Sequence, residues 1–275
     1  MSDILKDFSE PTLINAMETN MQGTAIRWGQ LIGATFHEDA ESAWLLSGLP
    51  LELCNGVIRT RISAENQDEA TEKLIQRFMA YHRPMTWLVC PSTQPADMRQ
   101  RLQAHGWYVD EAPDMALDLL TLDERAAQAD GLSIERVCDD NMLRQWIRTM
   151  VIGSGMPEEA LDLVLDIAAK HRFTPIPEVQ FYLGSLKGEP VTTSLLFLHG
   201  GVAGIYNVAT LPEARGHGYG AAITATPLLA ARAMGYRIGV LQSSPMGLNV
   251  YHRLGFQPHG MFSMCMWSAN EEPMG

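Results

Sequence analysis

Arg215, Gly216, Gly218 and Gly220 are the residues whose types and spacing point most directly to chemistry. Glycines at alternate positions open backbone conformations closed to other residues and remove side chains that block close approach. Their amides can converge on one point, and a helix starting there adds its unpaired first-turn N–H groups and positive dipole end. Such a turn suits a phosphate or pyrophosphate, with Arg215 supplying a cation at its mouth. A plain left-handed turn uses the same glycines. The dinucleotide fingerprint fits only in its permissive form, with Ala221 in the last place, and its acidic residue is absent near Tyr236. The Gly-Lys-Ser/Thr ending of a phosphate-binding loop is absent too.

These residues need elements to hold them. Ile205–Ala209 is rich in β-branched and aromatic types and reads as a buried strand, broken by Pro212 and Glu213. A helix is expected from about Ala221 to Met234, with Gly235 as its stop signal. A second block, Ser243–Phe256, ends in Val250-Tyr-His-Arg-Leu-Gly-Phe256.

The pattern Arg215-x-x-Gly218-x-Gly220 after a strand, followed by the Tyr251 block, resembles the acetyl-CoA site of the GNAT N-acetyltransferases. The resemblance covers residues from about 132 to 268. It implies a mixed, mostly antiparallel α/β sheet flanked by helices. Arg215, Gly216, His217, Gly218, Tyr219 and Gly220 would hold the pyrophosphate. Backbone groups of Val208, Ala209 and Thr210 would hold the pantetheine arm where the strand splays from its neighbour. Tyr251 would return a proton to the leaving thiolate, a phenol of pKa ~10 being close enough to a thiol for that task. The family often has asparagine seven residues before this tyrosine; here that place is Ser244, so the cofactor contact is lost or made by serine. Asn249 is a further residue able to face the cofactor.

The base stays open. Some members carry a glutamate on the signature strand, and the corresponding place here is Gly204, which cannot serve. Glu178, His199, Tyr206, Asn207 and an ordered water chain are alternatives, none preferred. The implied reaction is direct transfer of acetyl from acetyl-CoA to the primary amine of a small, cationic substrate; the alternative is a non-catalytic acyl-CoA-binding or regulatory protein. A nucleotide-binding protein of another fold is the third reading.

Composition limits the rest. The 275 residues include 20 basic and 32 acidic side chains, a net charge of −12, which argues against nucleic acid. Four scattered cysteines, Cys54, Cys90, Cys138 and Cys265, show neither zinc spacing nor a disulfide framework, so no metal is expected. No cysteine lies near either motif, which disfavours an acyl-enzyme. The start lacks the basic-then-apolar pattern of a signal peptide, and no apolar run reaches the ~18 residues of a membrane span. The expectation is a cytoplasmic protein with no membrane partner, monomer or homodimer.

Along the chain, Asp3 is read as the cap of a helix over 3–18 with a break at Pro11, and Asn55-Gly56 as a turn opening a strand to Ile62. A helix is expected over Glu65–Tyr81, a strand at Trp87–Cys90, a helix over Pro95–His105, and separate strands at Gly106–Val109 and Met115–Leu120. Thr121–Gly131 reads as a linker, Leu132–Val137 as a strand, and Asp139 or Asp140 as a helix cap. Pro157 fits the first turn of another helix, His171–Pro177 reads as a loop, and strands follow at Val179–Leu183 and Val191–Leu198 with a hairpin turn at Gly200-Gly201. In the family, the helical region after Asp139 walls the acceptor site. Leu102–Trp107 resembles Tyr251–Phe256, and Trp87–Ser92 resembles Gly239–Ser244. These matches predict a tandem arrangement: a degenerate GNAT-like half over 1–125, without the glycine motif and so without acetyl-CoA, and an acetyltransferase domain over 132–270. An unrelated α/β domain with generic patterning is the other reading of the first half.

Overall fold

A computed structural model describes residues 4–62, 67–170 and 176–268. They fall into two compact units that trade their ends. Residues 4–20 belong with 114–259, and residues 21–113 with 260–268. A division of the chain near residues 125–132 therefore differs from the compact units.

In the first unit the sheet runs β5 (Tyr108–Asp118), β10 (Ile238–Gln242), β9 (Val202–Thr210), β8 (Glu189–His199), β7 (Val179–Leu186) and β6 (Leu132–Arg136). Every pairing is antiparallel except β9 with β10. On one face lies α6 (Tyr219–Ala233), which buries Ile223, Ala225, Leu228 and Ala231 against Ala203, Ile205, Leu241, Met115 and Leu117. On the other face Leu13, Ala16 and Met17 of α1 (Glu10–Leu31) pack on Ala116, Val202, Ile238 and Val240. Also in this unit, α4 (Asp140–Gly153) and α5 (Glu158–Lys170) pack on Leu183, Leu195 and Phe197. Asp139 is the cap of α4, its carboxylate accepting from the Met142 amide at 2.8 Å. Pro227 lies inside α6, where it cannot donate to the carbonyl of Ile223; the buried Ser194 hydroxyl on β8 donates to that carbonyl instead, at 2.7 Å.

The second unit has strand order β1 (Thr35–Glu38), β2 (Ser42–Leu46), β3 (Asn55–Thr60), β4 (Met85–Val89) and β11 (Gln257–Trp267). Its succession β3, α2 (Gln67–Met79), β4, α3 (Met98–Ala104), β5 repeats the order β9, α6, β10, α7 (Leu248–Leu254), β11. In both successions the first strand pairs with the second in parallel over only two rungs. Trp44, Phe78, Trp87 and Trp107 fill its core in edge-to-face contacts with centroids 5.8–5.9 Å apart.

Several expectations give way to packing. Pro11 does not break a helix but sits in the first turn of one that runs on to Leu31, where a missing N–H costs nothing. Asn55-Gly56 is not a turn but the buried start of β3, with the Asn55 amide holding Ser47, Gly48, Leu49, Leu51 and Pro84 by their backbone. Tyr108–Asp118 is one strand, not two. Thr121–Gly131 is no free linker: Leu119 and Leu122 are buried, short helical turns span Leu119–Thr121 and Glu124–Ala127, and Arg232 donates to the carbonyls of Leu119 and Leu122. The Asp3 cap, the start of the helix at Glu65 and most of the His171–Pro177 loop lie outside the described residues.

Candidate functional site

The site begins with a flaw in a strand. Across from Ser194 on β8, strand β9 carries two residues, Asn207 and Val208, so that Thr193 pairs with Ala209 and Leu195 with Tyr206. This is a β-bulge, and Asn207 takes its left-handed conformation (φ 50°), which asparagine tolerates better than most residues. Buried hydroxyls hold it in place. Thr193 donates to the Asn207 carbonyl at 3.0 Å and Thr192 to the Ala209 carbonyl at 2.9 Å. The bulge re-aims the strand. Tyr206 packs with the α4–α5 cluster, whereas Val208, two residues on, packs in the cluster under α6. Strict alternation would put both on one face.

Beyond Ala203 and Gly204, which pair with Gly239 and Val240, no further rung joins β9 to β10 among the described residues. The strands fork, and the β10-facing backbone of β9 around Val208 is left without a strand partner. At the end of β9 the chain makes a short turn over Pro212–Ala214 and reaches the glycine loop. Gly216 (φ 83°) and Gly218 (φ 81°) adopt backbone that L side chains rarely take, with open space where a Cβ would lie. Among the described residues none of the five amides from Gly216 to Gly220 donates a hydrogen bond to the protein. A bound anion can take them, and α6 starts at this point.

Arg215 is only partly free for that task. Its guanidinium donates to the carbonyls of Thr210, at 3.1 Å, and Gly153, at 3.0 Å, tying β9 to the end of α4. Gly153 permits the approach: a Cβ there would lie 3.1 Å from the Thr210 nitrogen. His217 is exposed and stacks on Tyr219, which is buried with Val191 and Ala214.

The Tyr251 group lies on α7. Tyr251 is buried, packs edge-to-face on Phe256 at 5.9 Å, and shares the apolar cluster that includes Val208. Its ring lies where a side chain at Gly247 would go, with 2.6 Å from a Cβ there to the ring. Burial pushes its pKa up to about 12, and its hydroxyl finds no hydrogen-bond partner among the described residues. Ser244 is exposed and shapes the turn into α7: its carbonyl accepts from Gly247 and Leu248, its hydroxyl from Gly247.

The base suggested by family precedent finds no seat at Gly204. That notch is filled by Asn20 of α1, whose amide oxygen a Cβ at Gly204 would strike. The fully buried Asn20 donates to the carbonyls of Phe197 (3.2 Å) and His199 (2.9 Å) and accepts from the Tyr206 hydroxyl at 2.7 Å. Tyr206 is thereby a donor, His199 and Glu178 are exposed, and Asn207 is the bulge residue. Sequence reasoning missed two acidic residues near this notch. Asp114 on β5 and Glu18 on α1 are 4% and 3% exposed. Asp114 accepts from the Gln242 side chain at 2.7 Å, and burial pushes its pKa up to about 6, Glu18 adding to the rise. The signal was present: Leu13, Met17 and Met21 mark the buried stripe of a helix, and Glu18 and Asn20 lie beside it. No group of three or more potential metal ligands occurs among the described residues, and none of their helices is long and apolar enough to cross a membrane.

No protein-family model matches the sequence. No curated protein matches it either. The fold does have relatives. A GCN5-related N-acetyltransferase from Kribbella flavida superposes with a TM-score of 0.63 at 18% identity, over 92% of this chain and 96% of that one. The chain has the GNAT fold. A GNAT protein from Sphaerobacter thermophilus matches with a TM-score of 0.60 at 13% identity, over 98% of this chain and 95% of that one. A tandem GNAT protein of the clavulanic acid biosynthesis pathway matches with a TM-score of 0.57 at 14% identity, over 96% and 95%. The forked strands, the glycine loop and the helix after it form one connected part of this GNAT fold in the first unit.

Proposed function

We propose that the protein is an N-acetyltransferase that moves an acetyl group from acetyl-CoA directly to the primary amine of a small, cationic substrate. The observation that carries this reading is the conjunction of an unpaired fork between β9 and β10 with five free amides at the start of α6. The residues present suit the coenzyme. The amides of Gly216–Gly220 and the dipole of α6 would hold its diphosphate, and the freed backbone of Val208–Thr210 its pantetheine arm. When bound, acetyl-CoA supplies an activated acetyl group whose carbonyl carbon accepts the amine nitrogen as the C–S bond breaks.

Tyr251 keeps its proton throughout the neutral range, because burial holds it at about 12. It therefore holds a proton for the leaving sulfur, as a weaker acid than a free phenol. Direct transfer is favoured over a covalent acyl-enzyme: Cys54, Cys90 and Cys265 are buried in the second unit, where burial pushes the Cys54 and Cys265 thiols up to about 11 and 12, and Cys138, exposed in the first unit, lies just before α4 with its thiol on the Met142 sulfur at 3.5 Å, away from both sequence motifs. The replacement of a family glutamate by Gly204, with Asn20 in its place, favours a second reading, a non-catalytic acyl-CoA binder.

Tyr251→Phe separates the two. The variant is expected to lose roughly 10²-fold or more in turnover, followed by free-thiol release with a panel of amines, while acetyl-CoA raises its melting temperature as in the wild type. A wild-type protein that acetylates no amine yet is stabilised by acetyl-CoA supports the binder instead.

A further inference from the structure

We propose that Asp114 is the proton acceptor for the incoming amine, which reaches the fork as an ammonium ion. This rests on the acetyltransferase reading. The geometry carries it. Gln242 lies two residues beyond Val240, the last residue of β10 joined to β9, and Asp114 is its register partner on β5. Alternation puts Gly204, Val240, Gln242 and Asp114 on one face of the sheet, the face packed by α1. Asp114 is thus beside the point where the strands part, on the face with the filled notch. One carboxylate oxygen is fixed by Gln242. The other has no protein hydrogen bond among the described residues, and the side chain keeps 4% of its surface exposed.

The groups that act on Asp114 are Gln242 from β10 and Glu18 from α1. Burial and the Glu18 charge lift Asp114 to about 6, which leaves it ionised at neutral pH yet far more basic than an ordinary carboxylate. The ammonium N–H bond breaks, and its proton passes to the Asp114 carboxylate. The free amine then attacks the acetyl carbon, and the C–N bond forms as the C–S bond breaks. Tyr251 gives its proton to the sulfur and regains one from the new amide nitrogen. Asp114 releases its proton to solvent, closing the balance of amide, free thiol and one proton.

The test is the pH profile of kcat/KM for an accepted amine from pH 5 to 9, read by thiol release, for wild type, Asp114→Asn, Asp114→Glu and Glu18→Gln. The wild type is expected to show an acid limb near pH 6. Asp114→Asn is expected to lose the limb and roughly 100-fold in rate, with acetyl-CoA stabilisation kept. Asp114→Glu should restore part of the rate and the limb, and Glu18→Gln should move the limb to lower pH. If Asp114→Asn misfolds, the Glu18→Gln shift decides. Loss of rate with the limb unchanged, or a profile within threefold of wild type, overturns the role of Asp114 and leaves the acetyltransferase reading standing. Absence of wild-type turnover with any amine overturns both.

Discussion

Asp114 makes a claim about stability as well as about rate. Its folded pKa of about 6 lies above the ordinary carboxylate value of 3.8, so between those pH values the native state holds more protons than the unfolded chain. Stability from this group therefore falls as pH rises through that window and stays low above it. Asparagine keeps an acceptor for Gln242 and cannot ionise. Asp114→Asn is expected to melt with the wild type near pH 4 and above it at pH 7.5, by up to roughly 2–3 kcal/mol. Melting curves across that range check it, and equal melting at both ends contradicts a buried, ionised Asp114. A gain in stability paired with a loss of activity is what a functional buried charge gives. At this scale the sequence showed only part of the site. Arg215, the glycines and Tyr251 stand in local motifs that carry their own context. Asn20, Glu18, Asp114 and Gln242 come together only through α1, β5 and β10, which lie far apart along the chain and share no local pattern.

The elements were more legible, because period and punctuation are local. The fork strand, its helix α6 and the stop at Gly235 follow from a β-rich run, alternate glycines and a terminal glycine. What escaped was context. Pro11 reads as a breaker until its place in the first turn of α1 is known, and Thr121–Gly131 reads as a linker until Arg232 is seen holding its carbonyls. The bulge at Asn207 could not be read either, since it depends on register with Thr193 and Leu195. The glycine loop gives a test at this scale. At Gly218 there is room for a methyl group but the backbone is left-handed, so alanine is strained by roughly 1–2 kcal/mol without a clash. Relaxation of that strain turns the loop amides away from their common focus. Gly218→Ala is expected to weaken acetyl-CoA binding at least tenfold by calorimetry, while the apo protein's melting temperature falls by only a few degrees. Unchanged affinity would remove the loop from the cofactor site.

For the molecule as a whole, the exchanged ends matter first. A fragment starting at Leu132 lacks α1 and β5, so Leu241, Val240 and Ile238 lose Met115, Leu117, Ala116, Leu13 and Met17 as neighbours. Such a fragment is expected to aggregate or to show no cooperative melt, where a self-contained domain over 132–270 would fold. The tandem succession of elements raises a second question, how many coenzymes one chain takes. In the first unit the fork beyond Gly204 and Val240 has no cross-connection between its strands among the described residues. In the second unit the corresponding fork beyond Val57 and Trp87 is stitched by its own chain. The Gln94 amide donates to the Thr60 carbonyl at 3.1 Å, the Ile62 amide donates to the Gln94 carbonyl at 3.2 Å, and the Trp87 indole donates to the Thr60 hydroxyl at 3.0 Å. A pantetheine arm would have to displace all three, two of them backbone bonds whose loss leaves buried polar groups unpaired, at about 1–3 kcal/mol each. The sequence between Thr60 and Gln67 also carries no glycine to gather amides around a diphosphate. Calorimetric titration is therefore expected to give one acetyl-CoA per chain, and Gly218→Ala to weaken that single event. Two sites of comparable affinity, or a second site untouched by the substitution, would mean that the second unit opens its fork.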